Sequence, residues 1–161
     1  MASRDANTLR IELKSGPVMI KLRPDLAPNH VARIKELANE GFYDGIVFHR
    51  VIPGFMAQTG DPTGTGSGGS KKPNLKAEFS KEPHVRGTCA MARSSSPDSA
   101  NSQFFICFAK SPWLDGQYTV WGQVVEGMEH VDAIKKGGDN NGAIEGQPDK
   151  MLRVRVGGDE A

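Results

Sequence analysis

The apolar positions of the chain begin by alternating. In Thr8-Leu-Arg-Ile-Glu-Leu13, residues Leu9, Ile11 and Leu13 fall on one side, and after Ser15-Gly16-Pro17 the run Val18-Met-Ile-Lys-Leu22 alternates again. Two runs of period two about a Gly-Pro turn predict an antiparallel hairpin. The period then changes. Pro28 suits the first turn of a helix, where no hydrogen bond is lost, and Val31, Ile34, Leu37 and Ala38 mark a helical stripe that stops at Gly41. From Gly45 onward short strand candidates return, over 46–52, 54–59, 88–91, 103–108 and 118–124. A second helix is predicted over 128–136, with Met128, Val131 and Ile134 on one face, Gly137-Gly138 as its stop and Lys135 and Lys136 at the negative end of its dipole. Residues 151–156 close the chain as an alternating strand. About eight short strands, two helices and no regular strand–helix alternation predict a mainly β, antiparallel barrel.

Composition sharpens this picture. Nineteen glycines and ten prolines in 161 residues amount to about 18%, against a usual figure of about 12%. That is too much for a helical bundle, and too little and too irregular for collagen or a low-complexity chain. The length fits one domain, 1–161, without an internal repeat or a long linker. Lys and Arg number 20 against 19 Asp and Glu, a net charge of +1, and no basic run exceeds two residues. Nothing there favours nucleic acid or anionic lipid. The N-terminal residues Met1–Thr8 contain no apolar core of a secretory signal, and the longest apolar run, Phe104–Ala109, is far shorter than the roughly 20 residues of a membrane span. Cys89 and Cys107 lack CxxC spacing and read as buried free thiols in a reducing compartment. The expectation is a cytoplasmic monomer with no membrane partner.

Several motifs carry less chemistry than they first suggest. Gly64-Thr-Gly66-Ser-Gly68-Gly69 satisfies G-x-G-x-x-G, but Pro73 opposes the helix that a dinucleotide site needs, so the stretch reads as a flexible surface loop. No two of His30, His49, His84 and His130 have metal-ligand spacing, and Ser96 lacks a nucleophile elbow. No metal or cofactor is expected. Two stretches are more informative. Strand alternation over Phe48, Arg50 and Ile52 places Arg50 among apolar neighbours, where the plain alternative is a stem lying on apolar surface with its head in water. Alternation also puts Gln103 and Phe105 on one face and Phe104 and Ile106 on the other, so that one face can fill a core while the other lines a groove. Trp113 and Leu114 follow in a loop, where an exposed Trp marks a binding surface.

Together these residues resemble the cyclophilins, the cyclosporin-binding class of peptidyl-prolyl cis-trans isomerases. The matching stretches are Phe48-His-Arg50, Pro53-Gly-Phe-Met-x-Gln58-x-Gly-Asp61, Gly66-Ser-Gly-Gly69, Gly87-Thr-x-x-Met91-Ala92, Ser102-Gln-Phe-Phe-Ile106, Trp113-Leu-Asp-Gly116 and Gly127-Met128. They run in order from about Thr8 to Val156, and the 91–105 stretch is similar to the bacterial subgroup. The resemblance implies a closed eight-stranded antiparallel β-barrel capped by two α-helices, acting on Xaa-Pro bonds of peptides and unfolded client proteins, with cyclosporin A as a ligand.

It also implies roles. Arg50 is the catalytic cation, while Phe55, Met56, Phe105 and Leu114 hold the proline ring. Gln58 anchors the peptide and positions Arg50, and Gln103 belongs to the same polar wall. The backbone of Ala92 and Arg93 pairs with the extended substrate. Trp113 borders the groove and contacts cyclosporin. Arg93 stands where many eukaryotic members have Asn, and Tyr118, also a groove residue, replaces a histidine common in them. The competing reading is a non-catalytic proline-peptide scaffold, for which Arg50 would be unnecessary.

Overall fold

The structure, a computed structural model, describes residues 7–138 and 142–157. Of Met1–Thr8, the stretch on which the signal-peptide reading rests, residues 1–6 lie outside the described residues. Eight antiparallel strands form one sheet, with two α-helices among the described residues. The strands are β1 (Thr8–Leu13), β2 (Gly16–Leu22), β3 (Arg50–Ile52), β4 (Met56–Thr59), β5 (Thr88–Met91), β6 (Phe104–Cys107), β7 (Val120–Glu126) and β8 (Arg153–Val156), with α1 over Pro28–Asn39 and α2 over Met128–Asp132. Their order across the sheet is β3-β4-β6-β5-β7-β2-β1-β8.

This order corrects one expectation: the ladder is open, not closed. β3 and β8 stand at opposite edges and do not pair with each other. Irregular segments span the gap instead, through single contacts such as Phe48 N–H to the Asp149 carbonyl (2.8 Å) and Gly45 N–H to the Met151 carbonyl (2.7 Å). Val47–Lys150 and Arg50–Ala143 form only isolated bridges. Gly45, Gly142 and Gly146 all take positive φ here, which breaks the extended run that a continuous ladder requires. The sheet still curls, helped by register shifts where β2 and β5 each meet β7.

The predicted hairpin forms with Thr8 opposite Lys21 and Leu13 opposite Gly16. Its apolar face joins the main core with Val51, Phe104, Ile106 and Trp121. Tyr43, Phe104 and Trp121 meet edge to face, at centroid distances of 5.4 and 5.2 Å. The stripe on α1 is buried as predicted, but His30 and Arg33 are buried with it. Arg33 donates to the Pro73 carbonyl (2.7 Å) and the Asn101 carbonyl (3.3 Å), which satisfies its buried head.

Ala27 caps α1 without a side-chain bond. The capping carboxylate comes from far along the chain: Glu78 Oε1 accepts the amides of Asn29 (3.1 Å) and His30 (3.0 Å) and contacts His30 Nδ1 (2.7 Å). α2 is shorter than predicted. Lys135 N–H donates to Asp149 and Gly137 N–H to the Val51 carbonyl, so neither amide continues the helix. Lys136 does sit at the helix end, where its ammonium donates to the Asp132 and Ile134 carbonyls. A 3₁₀ turn over Pro112–Leu114 had no periodic signal in the sequence. No helix among the described residues is long and apolar enough to cross a membrane.

Two outcomes test this account. Glu78→Ala strands two helix-end amides and should cost about 1–2 kcal/mol in urea unfolding; an unchanged midpoint would remove Glu78 as the cap. Burial pushes the imidazoles of His30, His49 and His84 down, against the opposing pull of Glu78 on His30 and Asp115 on His84. The unfolded chain then binds more protons than the native one below about pH 6.5, so stability should fall as pH drops from about 7.5 to about 5. A Tm that stayed level or rose across that window in calorimetry would contradict the burial account.

Candidate active site

The site follows from strand register. Arg50 lies opposite Gln58, Gln58 opposite Phe105, and Phe105 opposite Ala90. Directly opposed residues share a face, so one row across β3, β4, β6 and β5 carries a cation, an amide and an aromatic ring side by side. The next row, Ile52–Met56–Cys107, shares that face. It is the outer face, and it has its own apolar cluster built on Met56, Phe105, Cys107, Leu114 and Val120. The expected division of β6 is observed: Phe104 and Ile106 enter the main core, while Phe105 and Cys107 enter this second cluster.

Phe48 does not share a face with Arg50, contrary to the alternation over 46–52. Only Arg50–Ile52 is strand, and Phe48 turns into the main core alongside Val51. The irregular residues before β3 reset the phase, leaving Arg50 and Ile52 on the outer side.

Nine of the eleven residues expected at the site line one cavity of about 200 Å³. Phe55, Met56, Phe105, Leu114 and Tyr118 form its apolar part, and Arg50, Gln58, Ala92 and Arg93 its polar edge. Gln103 stands behind Gln58 and lines an adjoining polar cavity of about 590 Å³, which shares Gln58, Ala92 and Arg93 with the first. Trp113 lies outside the cavity, 64% exposed, with its ring 5.5 Å from Phe55.

Hydrogen bonds order the polar edge. Arg50 Nη1 donates to Gln58 Oε1 (3.2 Å), Gln58 Nε2 to Gln103 Oε1 (2.9 Å), and Gln103 Nε2 to the carbonyls of Gly66 (3.0 Å) and Gly68 (2.9 Å). The Gly64–Gly69 stretch is the surface loop expected, and it wraps the carboxylate of Asp61 and meets Gln103 beside the site. The Ala92 amide donates to the Gln103 carbonyl (2.9 Å), so it is already used. Arg93 folds over Tyr118, with its guanidinium carbon 4.8 Å from the ring, and donates to the Gln117 and Ser94 carbonyls.

Three contributors escaped the sequence reading. Asp61 sat inside a matching motif without a role, although Asp-Pro-Thr-Gly is itself a turn signal. His84 and Asp115, 31 residues apart, are joined through Nδ1 at 3.0 Å, and the His84 ring lies nearly parallel to Phe105. Phe79 also lies against Arg93, its ring centroid 5.8 Å from the guanidinium carbon. No local pattern announces either of the last two, because both depend on distant segments meeting.

Comparison with known proteins gives the same answer as the geometry. A family model described as cyclophilin type peptidyl-prolyl cis-trans isomerase/CLD matches residues 8–156. A probable peptidyl-prolyl cis-trans isomerase of Brucella suis is 55% identical, covering 98% of this chain and 86% of that protein. Among solved structures, a cyclophilin from Hirschia baltica superposes with a TM-score of 0.84 at 28% identity, covering 97% of this chain and 76% of that one. A cyclophilin-type isomerase of Cryptosporidium parvum, crystallised in the presence of the dipeptide Ala-Pro, gives 0.85 at 28% identity, covering 92% and 98%. A cation and an amide in register beside an apolar seat, on this sheet and with these relatives, place the chain in the cyclophilin family of peptidyl-prolyl cis-trans isomerases.

Proposed function

We propose that the chain seats a substrate proline in the 200 Å³ cavity and that Arg50 lowers the barrier to rotation about the preceding bond. The observation that carries this reading is the row in which Gln58 holds Arg50 on one side and stands opposite Phe105 on the other. The cavity is smaller than the roughly 300–1,000 Å³ of drug-sized ligand sites, which suits a single compact ring. Phe55, Met56, Phe105 and Leu114 supply its apolar contacts.

An Xaa-Pro bond resists rotation by roughly 18–20 kcal/mol because the C–N bond has partial double-bond character. Shortening isomerisation from tens of seconds to milliseconds takes about four decades, or roughly 5–6 kcal/mol. No covalent step is required. In the planar amide the nitrogen lone pair is delocalised and accepts hydrogen bonds poorly. In the twisted form the nitrogen becomes pyramidal and accepts well, so a guanidinium donor there favours the transition state over the ground state. Arg50 suits the task because a guanidinium presents a planar fork of N–H donors, and here that head is held by Gln58.

With the Ala92 amide committed, pairing to an extended substrate falls to the Ala92 carbonyl and the Arg93 amide, as a short added strand. Trp113, exposed beside Phe55, is placed to border a larger ligand such as cyclosporin A. Unpaired, buried Cys89 and Cys107 agree with work in a reducing compartment such as the cytoplasm, on proline-containing peptides and unfolded clients.

Arg50→Ala should leave thermal melting nearly unchanged and lower kcat/KM on a Xaa-Pro peptide by about 100-fold or more. Turnover close to that of the parent protein would leave a binding scaffold and remove the mechanism. Cyclosporin A should inhibit the parent protein and change its tryptophan emission, with the change arising from Trp113 because Trp121 is wholly buried. Inhibition without an emission change would place the drug away from Trp113, and the absence of both would remove cyclosporin A as a ligand.

A further inference from the structure

We infer that Asp61, through the glycine turn it gathers, is a positioning residue that orients Arg50. This inference rests on Arg50 being the catalytic cation.

Asp61 is a carboxylate only 1% exposed, a costly arrangement that the strand ladder does not require. It takes part in no ion pair among the described residues; backbone and hydroxyl donors satisfy it instead. Its Oδ1 accepts the Thr63 amide and hydroxyl (both 2.8 Å), and its Oδ2 accepts the amides of Thr65 (3.1 Å), Gly66 (2.6 Å) and Gly68 (3.0 Å). Burial alone would raise its pKa, but these donors outweigh burial and hold the group well below the usual carboxylate range. The glycines are needed where the chain closes around it. Gly66 has φ +94°, and a Cβ on Gly68 would lie 2.2 Å from Asp61 Oδ1.

The two glycines whose amides bind Asp61 direct their carbonyls at Gln103 Nε2. Two acceptors there take both amide hydrogens, so Gln103 must present its oxygen to Gln58. Gln58 must then turn its NH₂ toward Gln103 and its oxygen toward Arg50 Nη1. Reversing either glutamine would set oxygen against oxygen or N–H against N–H. The turn thus guarantees that Arg50 meets an acceptor and never a donor, and this polarity begins at Asp61. The G-x-G-x-x-G pattern, which suggests a phosphate cradle in the sequence, here encloses the protein's own carboxylate.

Asp61→Asn removes the charge and offers N–H to amides that already donate. Gly68→Ala presses a methyl on the same carboxylate. Each should lower kcat on a Xaa-Pro peptide about 10-fold while KM changes less than about 2-fold. On a Gln58→Leu background, where the relay is already cut, Asp61→Asn should have little further effect on kcat. A full, multiplicative loss on that background would overturn the relay, as would unchanged kcat in folded single variants, or a loss carried by KM. If both single variants fail to fold, Asp61 serves the fold rather than the arginine and the inference falls. The inference and the reading beneath it fail separately: an active Arg50→Ala removes the mechanism, whereas an inactive Arg50→Ala with independent Asp61 and Gln58 effects removes only the relay.

Discussion

The constraint on which the molecule depends is that β6 is buried on both faces. All of Phe104–Cys107 is inside, and its neighbour β5 is likewise buried throughout. Side chains on a strand alternate, so one four-residue segment must satisfy two apolar clusters at once. Phe104 closes an edge-to-face chain with Tyr43 and Trp121 in the main core. Phe105 lines the 200 Å³ cavity on the other face, with Tyr118 set across it at 5.6 Å. A register slip of one residue would exchange the two sets and empty both. Two independent packings therefore hold one register, and that register brings Arg50 and Gln58 level with Phe105.

The sequence reveals this much because alternation is a local property. The hairpin, the buried face of α1, the extent of β5 and the two-faced character of β6 all follow from spacing within a few residues. Failures occur where the deciding partner is remote. Phe48 and Arg50 read as one face, but the phase resets in a stretch that pairs with loop residues 143–151 rather than with a strand. The ladder stays open for the same reason. α2 ends early because Asp149 and Val51 take its next amides, and α1 is capped by Glu78 from elsewhere. The residues of the cavity were legible through family resemblance and strand parity together. The support behind them was not: His84–Asp115 exists only once distant segments meet, and the Asp61 turn, local in itself, meets Gln103 only in the folded chain.

Two charged residues at the site are held by neutral groups. Backbone amides satisfy Asp61, and backbone carbonyls and the Tyr118 ring hold Arg93. The ion pairs Arg23–Asp25, Arg86–Asp132, Arg155–Asp44 and Lys72–Glu40 involve no residue that lines either cavity. In the proposed mechanism the neutral oxygen of Gln58 gives the Arg50 guanidinium its direction, and its charge acts on the substrate.

In the proposed mechanism, catalysis and selection fall on different parts of the chain. Arg50, Gln58 and Phe105 stand on or directly beside ladder hydrogen bonds, where position is set by the sheet. Ala92 and Arg93 lie just beyond the end of β5, at the start of a serine-rich loop whose contacts are mainly local hydroxyl–backbone bonds around Ser94, Ser96 and Ser99. A twist barrier that is nearly the same for every Xaa-Pro bond calls for a fixed donor. Peptides that differ around the proline call for an adjustable edge. The sheet can then hold one geometry for the reaction while substitutions in the 92–99 loop alter which chains are admitted, without disturbing the register on which the arginine depends.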